Sequence, residues 1–374
     1  MSGIPSPDAD VLTAIDMRRD ALEEVMGFVQ AHPELGHEEQ QTSAHLAARL
    51  EEAGLAVERG IAGMDTAFRA ILDGARAGKT VGLAMLYDAV PSVTTDGALR
   101  PVHSCGHPAI AAGVVTAASA LAAVRTQLAG RVVVVGCPAD EIHAPRTRQI
   151  GGGKALTAAR GVWDDMDAAL YAHPEFIDTV SLASLWMRRD RLHVAGTRSL
   201  RADRPQEPLR ALRGLMKAAS ESDPARLMLE HVELDGDVEE GTGLVLDATV
   251  LYFGSNEADI AATAATTRAD AGGEWTEGML VQGVAPDAAV TAAVADAFAA
   301  LGKHFVADPP ALPFATDFGN ISRRVPSALI GVGRPGGWAF HTPLGARQFA
   351  SPDAVECALD IARVLALAAL RVLG

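Results

Sequence analysis

Three times in the first half of this chain, a short apolar run ends in a residue that carries charge or can ligate a metal. Val81 to Tyr87 leads into Asp88. Arg131 to Val135 leads into Cys137-Pro138-Ala139-Asp140-Glu141, and Met166 to Tyr171 leads into His173-Pro174. Continuous apolar runs of this length read as buried strands. The recurring order of buried strand, polar residues and then helix is the grammar of an α/β domain with a mostly parallel sheet. Ligands in such sheets gather at the carboxyl ends of the strands. Asp88, the loop carrying Cys105, Asp140-Glu141 and His173 all follow strand ends, so the topology permits them to converge. Upstream, Asp8 to about Gly54 has a helical pattern that breaks at His32-Pro33 and resumes after Glu39.

From Leu182 to Gly272 the character changes. Arginines cluster early (Arg188, Arg189, Arg191, Arg198, Arg201 and Arg204), and an alternating strand pattern runs from Leu244 to Phe253. This reads as an inserted α+β domain. The expected organisation is a catalytic domain in two parts, residues 1–181 and 273–374, with residues 182–272 inserted between them.

Charge and cysteine usage narrow the function classes. The 374 residues carry a net charge of −15, which argues against a nucleic-acid partner, because phosphate binding needs a basic surface. Three cysteines (Cys105, Cys137 and Cys357) cannot build a disulfide framework. The opening MSGIPSPDAD has no basic region followed by an apolar core, so a cytoplasmic location without a secretory signal is expected. Ala109 to Val124 is wholly uncharged but shorter than the roughly 20 residues a spanning helix needs. The apolar stretch near the C-terminus is interrupted by Asp360, Arg363 and Arg371. Both are expected as helices packed inside the protein, with no membrane partner.

The chemistry-bearing residues suit a borderline metal ion, because a thiolate, imidazoles and carboxylates occur together. Cys105 and His107 are separated by one glycine, so a tight turn brings both to one place. Asp140 and Glu141 are adjacent carboxylates at a strand end, an arrangement that a cation relieves. One can ligate while the other exchanges a proton with metal-activated water. Gly151-Gly152-Gly153-Lys154 lacks the spacing and the Ser/Thr of a phosphate loop, and reads as a loop opening a helix. Cys137 reads as a small buried residue, His32 and His37 as cap or packing residues, and His103 as a candidate support for the metal ligands.

Taken together, HPELGHEE, YDAVP, HSCGH, PADE, the GGGKALTAARGVWDDMDAALYAHPE run, TDFGNIS and FHTP resemble the amidohydrolase branch of the two-metal peptidases. That branch includes aminoacylases, carboxypeptidase G, indoleacetyl-amino-acid hydrolases and aminobenzoyl-glutamate hydrolase. The nearest likeness is to its dipeptidase-like subgroup, and it covers about His32 to Pro174 and Pro313 to the end. The resemblance implies two divalent ions per chain, zinc first, with manganese or nickel as alternatives. Cys105 matches the bridging thiolate, Glu141 and His341 complete one metal, and His107 and His173 complete the other. Asp88 matches the carboxylate that orients a ligand imidazole, and Asp140 occupies the general-base position. Thr316-Asp317 and Gly319-Asn320 are landmarks that read as turns near the site.

The implied function is hydrolysis of a small-molecule amide, with the inserted domain serving as a lid that pairs two subunits into a homodimer. This sequence also departs from the pattern. Asp140 stands where the family has glutamate, and Pro108 follows His107. Leu200 occupies the position of the lid histidine, while Gly243 and Phe253 or Gly254 occupy those of the asparagine and arginine that grip a substrate carboxylate. These changes predict an intact metal core with rebuilt substrate recognition. The lid arginines offer a replacement anion grip or simply a solvated basic face. Two alternatives follow from the same departures. One is a catalytically silent relative that binds metal and a small ligand, and the other is a different reaction on an amide-like bond, such as ring opening or decarbamoylation.

Overall fold

A helix without a single charge has no face for water, and the stretch after Gly106 behaves accordingly. In a computed structural model, which describes residues 7–93, 97–197, 206–236 and 243–374, it forms the helix His107–Ala123, buried over nearly its whole surface. It is wedged between the helices Arg19–Ala31 and Pro352–Leu373, the latter being the apolar C-terminal stretch. No helix among the described residues is long and apolar enough to cross a membrane. Leu200, Arg198, Arg201 and Arg204 lie outside the described residues.

The chain divides into two compact units. The first is made of Met1–Ala183, Val284–Ala311 and Asp317–Gly374, and the second of Ser184–Gly283 and Leu312–Thr316. The first unit is built on a six-stranded sheet in the order Ala56–Arg59, Phe68–Asp73, Ala129–Gly136, Arg76–Met85, Ala168–Glu175 and Ser327–Gly333. The last four run parallel, and the first two join as an antiparallel edge. The apolar runs around Leu83, Val133 and Leu170 are accordingly central strands, buried on both faces. Asp88, Asp140 and Glu141 follow their strands as irregular loops, while His173 sits inside its strand, Ala168–Glu175, two residues from the end.

The second unit is an antiparallel sheet in the order Glu274–Thr276, Trp186–Thr197, Gly243–Gly254 and Leu227–Gly236, with Leu280–Val281 also on Trp186–Thr197. The alternation seen from Leu244 onward buries Leu244, Leu246, Ala248 and Val250 on one face. There they meet the helices Glu207–Glu221 and Glu257–Ala271 through Leu215 and Ile260. Of the early arginines that the structure describes, Arg191 is exposed, while Arg188 and Arg189 are neither a solvated face nor a free anion grip. Arg188 and Arg268 both bond the buried Asp190, and Arg189 grips Glu230 with two bonds of 2.7 and 2.9 Å. A carboxylate taken out of water demands such partners.

Close helix packing depends on Gly113. A Cβ there would lie 2.6 Å from Ile361 Cγ2 and 2.9 Å from the Ala358 carbonyl. Gly113→Val should therefore destabilise the first unit by about 1–3 kcal/mol, read as a lower urea midpoint at unchanged slope. An unchanged midpoint would mean that the two helices separate at no cost.

Candidate active site

The turn that carries the thiol exists because Gly106 adopts φ +97°, a conformation other residues resist. A side chain there would also meet Pro174 at 2.7 Å. The turn carries Cys105 and starts the buried helix at His107. His341 arrives from a separate loop, at φ +58°, pinned by its N–H to the Ser104 carbonyl at 2.9 Å. A non-glycine residue held there is strained, a feature that clusters at functional sites.

These loops gather two groups of donor atoms. Cys105, His107 and His173 place one donor atom each within 4.8 Å of one another, and so do Cys105, Glu141 and His341. Cys105 is common to both groups. Cys105 Sγ lies 3.7 Å from His173 Nε2, and Glu141 Oε1 lies 3.8 Å from His107 Nε2 and 3.6 Å from His341 Nε2. The imidazoles of His107 and His173 are held at Nδ1. His107 Nδ1 bonds the Asp88 carbonyl at 2.6 Å and His173 Nδ1 bonds the Pro174 carbonyl at 2.7 Å, which directs both Nε2 atoms into the cluster. His107 Nε2 and Glu141 Oε1 are buried with no hydrogen-bond partner among the described residues. Buried polar atoms are ordinarily hydrogen-bonded; these two face ionisable neighbours at longer range, Asp140 Oδ2 at 3.4 Å and His341 Nε2 at 3.6 Å. A thiolate, three imidazoles and a carboxylate are a donor set that fits zinc or a similar ion.

Asp88 does more than orient an imidazole. Its Oδ1 lies 3.0 Å from His107 Nδ1, while its Oδ2 accepts the Glu141 N–H at 2.8 Å. Asp140 is engaged as well. Its Oδ2 faces His107 Nε2 at 3.4 Å, and its Oδ1 is held by Lys154 Nζ. Lys154, fully buried, also bonds Asp317 Oδ1 at 2.8 Å. Its importance was hidden in sequence, where the GGGK run reads only as a helix opening. The glycines let the helix Gly153–Ala159 press against the loop, since a Cβ on Gly152 would strike Asp317 and one on Gly153 would strike Pro138. Asp317, a landmark near the site, is thus the second anchor of the lysine.

The acid–base balance follows from these contacts. Burial disfavours the charge on Lys154, but Asp140 and Asp317 outweigh it and keep the ammonium firmly protonated. Burial would raise Asp140 too, yet Lys154 and His107 hold its carboxyl well below the usual range. Glu141 is raised by burial and by the Cys105 charge beside it. For Cys105, burial opposes ionisation, whereas His107, His173 and His341 overcome it and bring the thiol well below its ordinary value. His173 is pushed up to about 10, burial being outweighed by Cys105 and Glu175. Cys137 is buried and pushed up to about 12. His103 is buried and pushed down to about 3, first by desolvation and then by His107. His37 bonds the Gly151 carbonyl at 2.8 Å.

The architecture is a mostly parallel sheet with donor residues at its strand ends, together with a separate antiparallel unit. Residues 83–362 match the model of peptidase family M20/M25/M40, and the chain belongs to that family, a class of metal-dependent hydrolases of amide bonds. Over 175 residues the chain is 33% identical to a subunit of the p-aminobenzoyl-glutamate hydrolase of Escherichia coli (strain K12), covering 43% of this chain and 34% of that one. Over 173 residues it is 31% identical to Xaa-Arg dipeptidase of Mus musculus, covering 43% and 36%. The matched segments therefore span about a third of the length of these curated relatives. The aminobenzoyl-glutamate utilization protein of Klebsiella pneumoniae has a similar fold, with a TM-score of 0.72 at 15% identity over 96% of this chain and 98% of that one.

The contrast among the thiols is directly measurable. In protein stripped with chelator, iodoacetamide at pH 7.5 should alkylate Cys105 and spare the buried Cys137 and Cys357, because the thiolate is the reactive form. Zinc added first should protect Cys105. Peptide mass mapping reads the outcome, and equal labelling of all three thiols would contradict the environment described for Cys105.

Proposed function

We propose that this chain is a metal-dependent amidohydrolase, cleaving an amide bond in an N-acyl amino acid, a dipeptide-like compound or a related small molecule. The observation that carries this reading is the pair of donor groups sharing Cys105, with His107 Nε2 and Glu141 Oε1 buried beside it without a hydrogen bond among the described residues. Cys105 is assigned as the bridging ligand, Glu141 and His341 as ligands of one ion, and His107 and His173 as ligands of the other. The solved M20-family peptidase of Bacillus subtilis, described as dinuclear metal binding, supports the count of two ions. It matches with a TM-score of 0.67 at 18% identity over 95% of this chain and 99% of that one. When bound, such a pair supplies Lewis acidity, polarising a carbonyl and making water a better nucleophile at neutral pH.

The chain's own residues do the rest. Asp88 holds the ring N–H of His107 through its backbone carbonyl and the backbone N–H of Glu141 through its carboxylate, fixing two ligands from different loops with one residue. Asp140, through Oδ2, is the group placed to take a proton from water and return it to the leaving nitrogen. Lys154 holds the other oxygen and so sets the direction in which that carboxylate points. Arg188 and Arg189 are committed to buried carboxylates, so neither replaces the anion grip usual in this branch. The proposed substrate therefore lacks an α-carboxylate or is held by other residues. A cytoplasmic setting, and pairing of two copies through the second unit, are part of the same proposal. The exposed Met228, Val232 and Leu234 on the strand Leu227–Gly236 at the end of that unit's sheet support the pairing, since exposed edge strands invite partners.

A second reading, a silent relative, is favoured by one observation: the tight Lys154–Asp140 pair lowers the basicity on which proton transfer depends. Metal content and amide hydrolysis over a panel of N-acyl amino acids, dipeptides and neutral amides, with and without chelator, separate the two. About two metals per chain with chelator-sensitive turnover is the expected result. In that active enzyme, Asp140→Asn should lower kcat by about 10²–10⁴-fold at unchanged metal content. Glu141→Ala and His107→Ala should instead lose metal. Bound metal without any turnover would select the silent reading, and absence of metal would sink both.

A further inference from the structure

Glu39 is a fully buried carboxyl, at 0% exposure, and nothing in the reaction described above uses it. It begins the helix Gln40–Glu52, where a carboxylate ordinarily caps the free N–H groups. Its side chain makes no such cap. Glu34 does that work instead, accepting the N–H groups of Gln41 and Thr42 at 3.0 and 2.9 Å. Glu39 turns inward. Its Oε1 accepts the N–H of Ala139 at 2.8 Å, and its Oε2 accepts the Thr66 hydroxyl at 2.9 Å.

Ala139 is the residue before Asp140-Glu141, and it is held at φ +59°, a left-handed conformation that disfavours a non-glycine residue. Two residues on, the N–H of Glu141 is taken by Asp88 at 2.8 Å. The loop is thus gripped on either side of Asp140 by two buried carboxyls, from segments 100 and 53 residues away in sequence. Burial, with Asp88 beside it, pushes Glu39 up to about 8. Keeping such a group in the interior is costly, and the cap that would ordinarily explain it is supplied by another residue.

We propose that Glu39 is a positioning residue: by holding the Ala139 N–H it keeps the 138–141 loop in the strained form that aims Asp140 and Glu141 into the site. Its effect on metal binding rests on the function proposed above. Its effect on the loop does not.

The test uses the full chain and four variants. Glu39→Ala removes the acceptor, Glu39→Asp withdraws it by one methylene, Glu39→Gln keeps an acceptor at the same reach, and Thr66→Val removes only the other hydrogen bond. Amide exchange, followed by mass spectrometry on peptides spanning residues 137–142 in metal-free protein, reads the loop directly. Cobalt titration, followed by its visible absorption, reads the ligand cluster. Glu39→Ala and Glu39→Asp should speed exchange in that peptide by about tenfold or more, beyond any change elsewhere, and weaken cobalt binding by about 10–100-fold, as loss of a group supporting ligands does. Glu39→Gln should restore both, and Thr66→Val should leave the loop peptide unchanged. If Glu39→Ala does not fold, Glu39→Asp against Glu39→Gln carries the comparison. Loop exchange that stays at the wild-type rate in Glu39→Asp, or that rises equally in Thr66→Val, overturns the proposal. If the wild type binds no cobalt, the metal reading fails while the exchange result still decides the role of Glu39.

Discussion

Crowded negative charge at one end of a buried sheet is the constraint on which the rest of this structure depends. Glu39, Asp88, Glu141 and Asp317 are all buried, and Asp140 stands among them. Like charges brought together out of water repel strongly, and each one loses its hydration. The fold answers with few positive groups. Lys154 lies between Asp140 and Asp317, and backbone N–H groups from Ala139, Glu141 and Ala155 bond Glu39, Asp88 and Asp317. What remains is concentrated on Glu141 Oε1 and its neighbour Cys105, which face the imidazoles of His107, His173 and His341 rather than a fixed cation. Under the proposed function, that remainder of charge is what a divalent pair neutralises.

The same constraint explains why so much of the local chain is held in unusual conformations. Four segments distant in sequence must bring donor atoms within a few ångströms, so their turns are tight and their backbones locked. Gly106 supplies one turn at no steric cost, whereas Ala139 and His341 are held against their preference. Each strained residue is tied at its N–H, Ala139 to Glu39 and His341 to the Ser104 carbonyl. Strain of this kind persists only where surrounding bonds over-determine it. The glycines before Lys154 serve the same end, letting a helix approach close enough for its lysine to reach two carboxylates.

The second unit treats charge differently. Asp190 is fully buried but saturated by Arg188, Arg268 and the Gly278 N–H, and Glu230 is matched by Arg189. Such networks leave nothing over for a ligand. A cluster of arginines in sequence is therefore a poor guide to anion binding until its carboxylate partners are known. Asp190 lies 2 residues from Arg188, and Glu230 lies 41 from Arg189.

The order of apolar runs and polar loops by itself determined the α/β class and the parallel centre, because a strand buried on both faces must read as a continuous apolar run. It also singled out Cys105, His107, Glu141, His173 and His341, because their residue types and contexts form one ordered set. Packing alone decided the rest. Lys154 sits in a glycine run that suggests only a helix start, and its meaning depends on Asp140 and on Asp317, 163 positions further along. Glu39 marks only where a helical pattern resumes, and its bond to the Ala139 N–H, 100 residues away, is a product of folding. Asp140 reads as a free base until the lysine is seen on it. Ion pairs and backbone grips of this sort join residues far apart in the chain, and no local pattern records a partner that only the folded chain brings near.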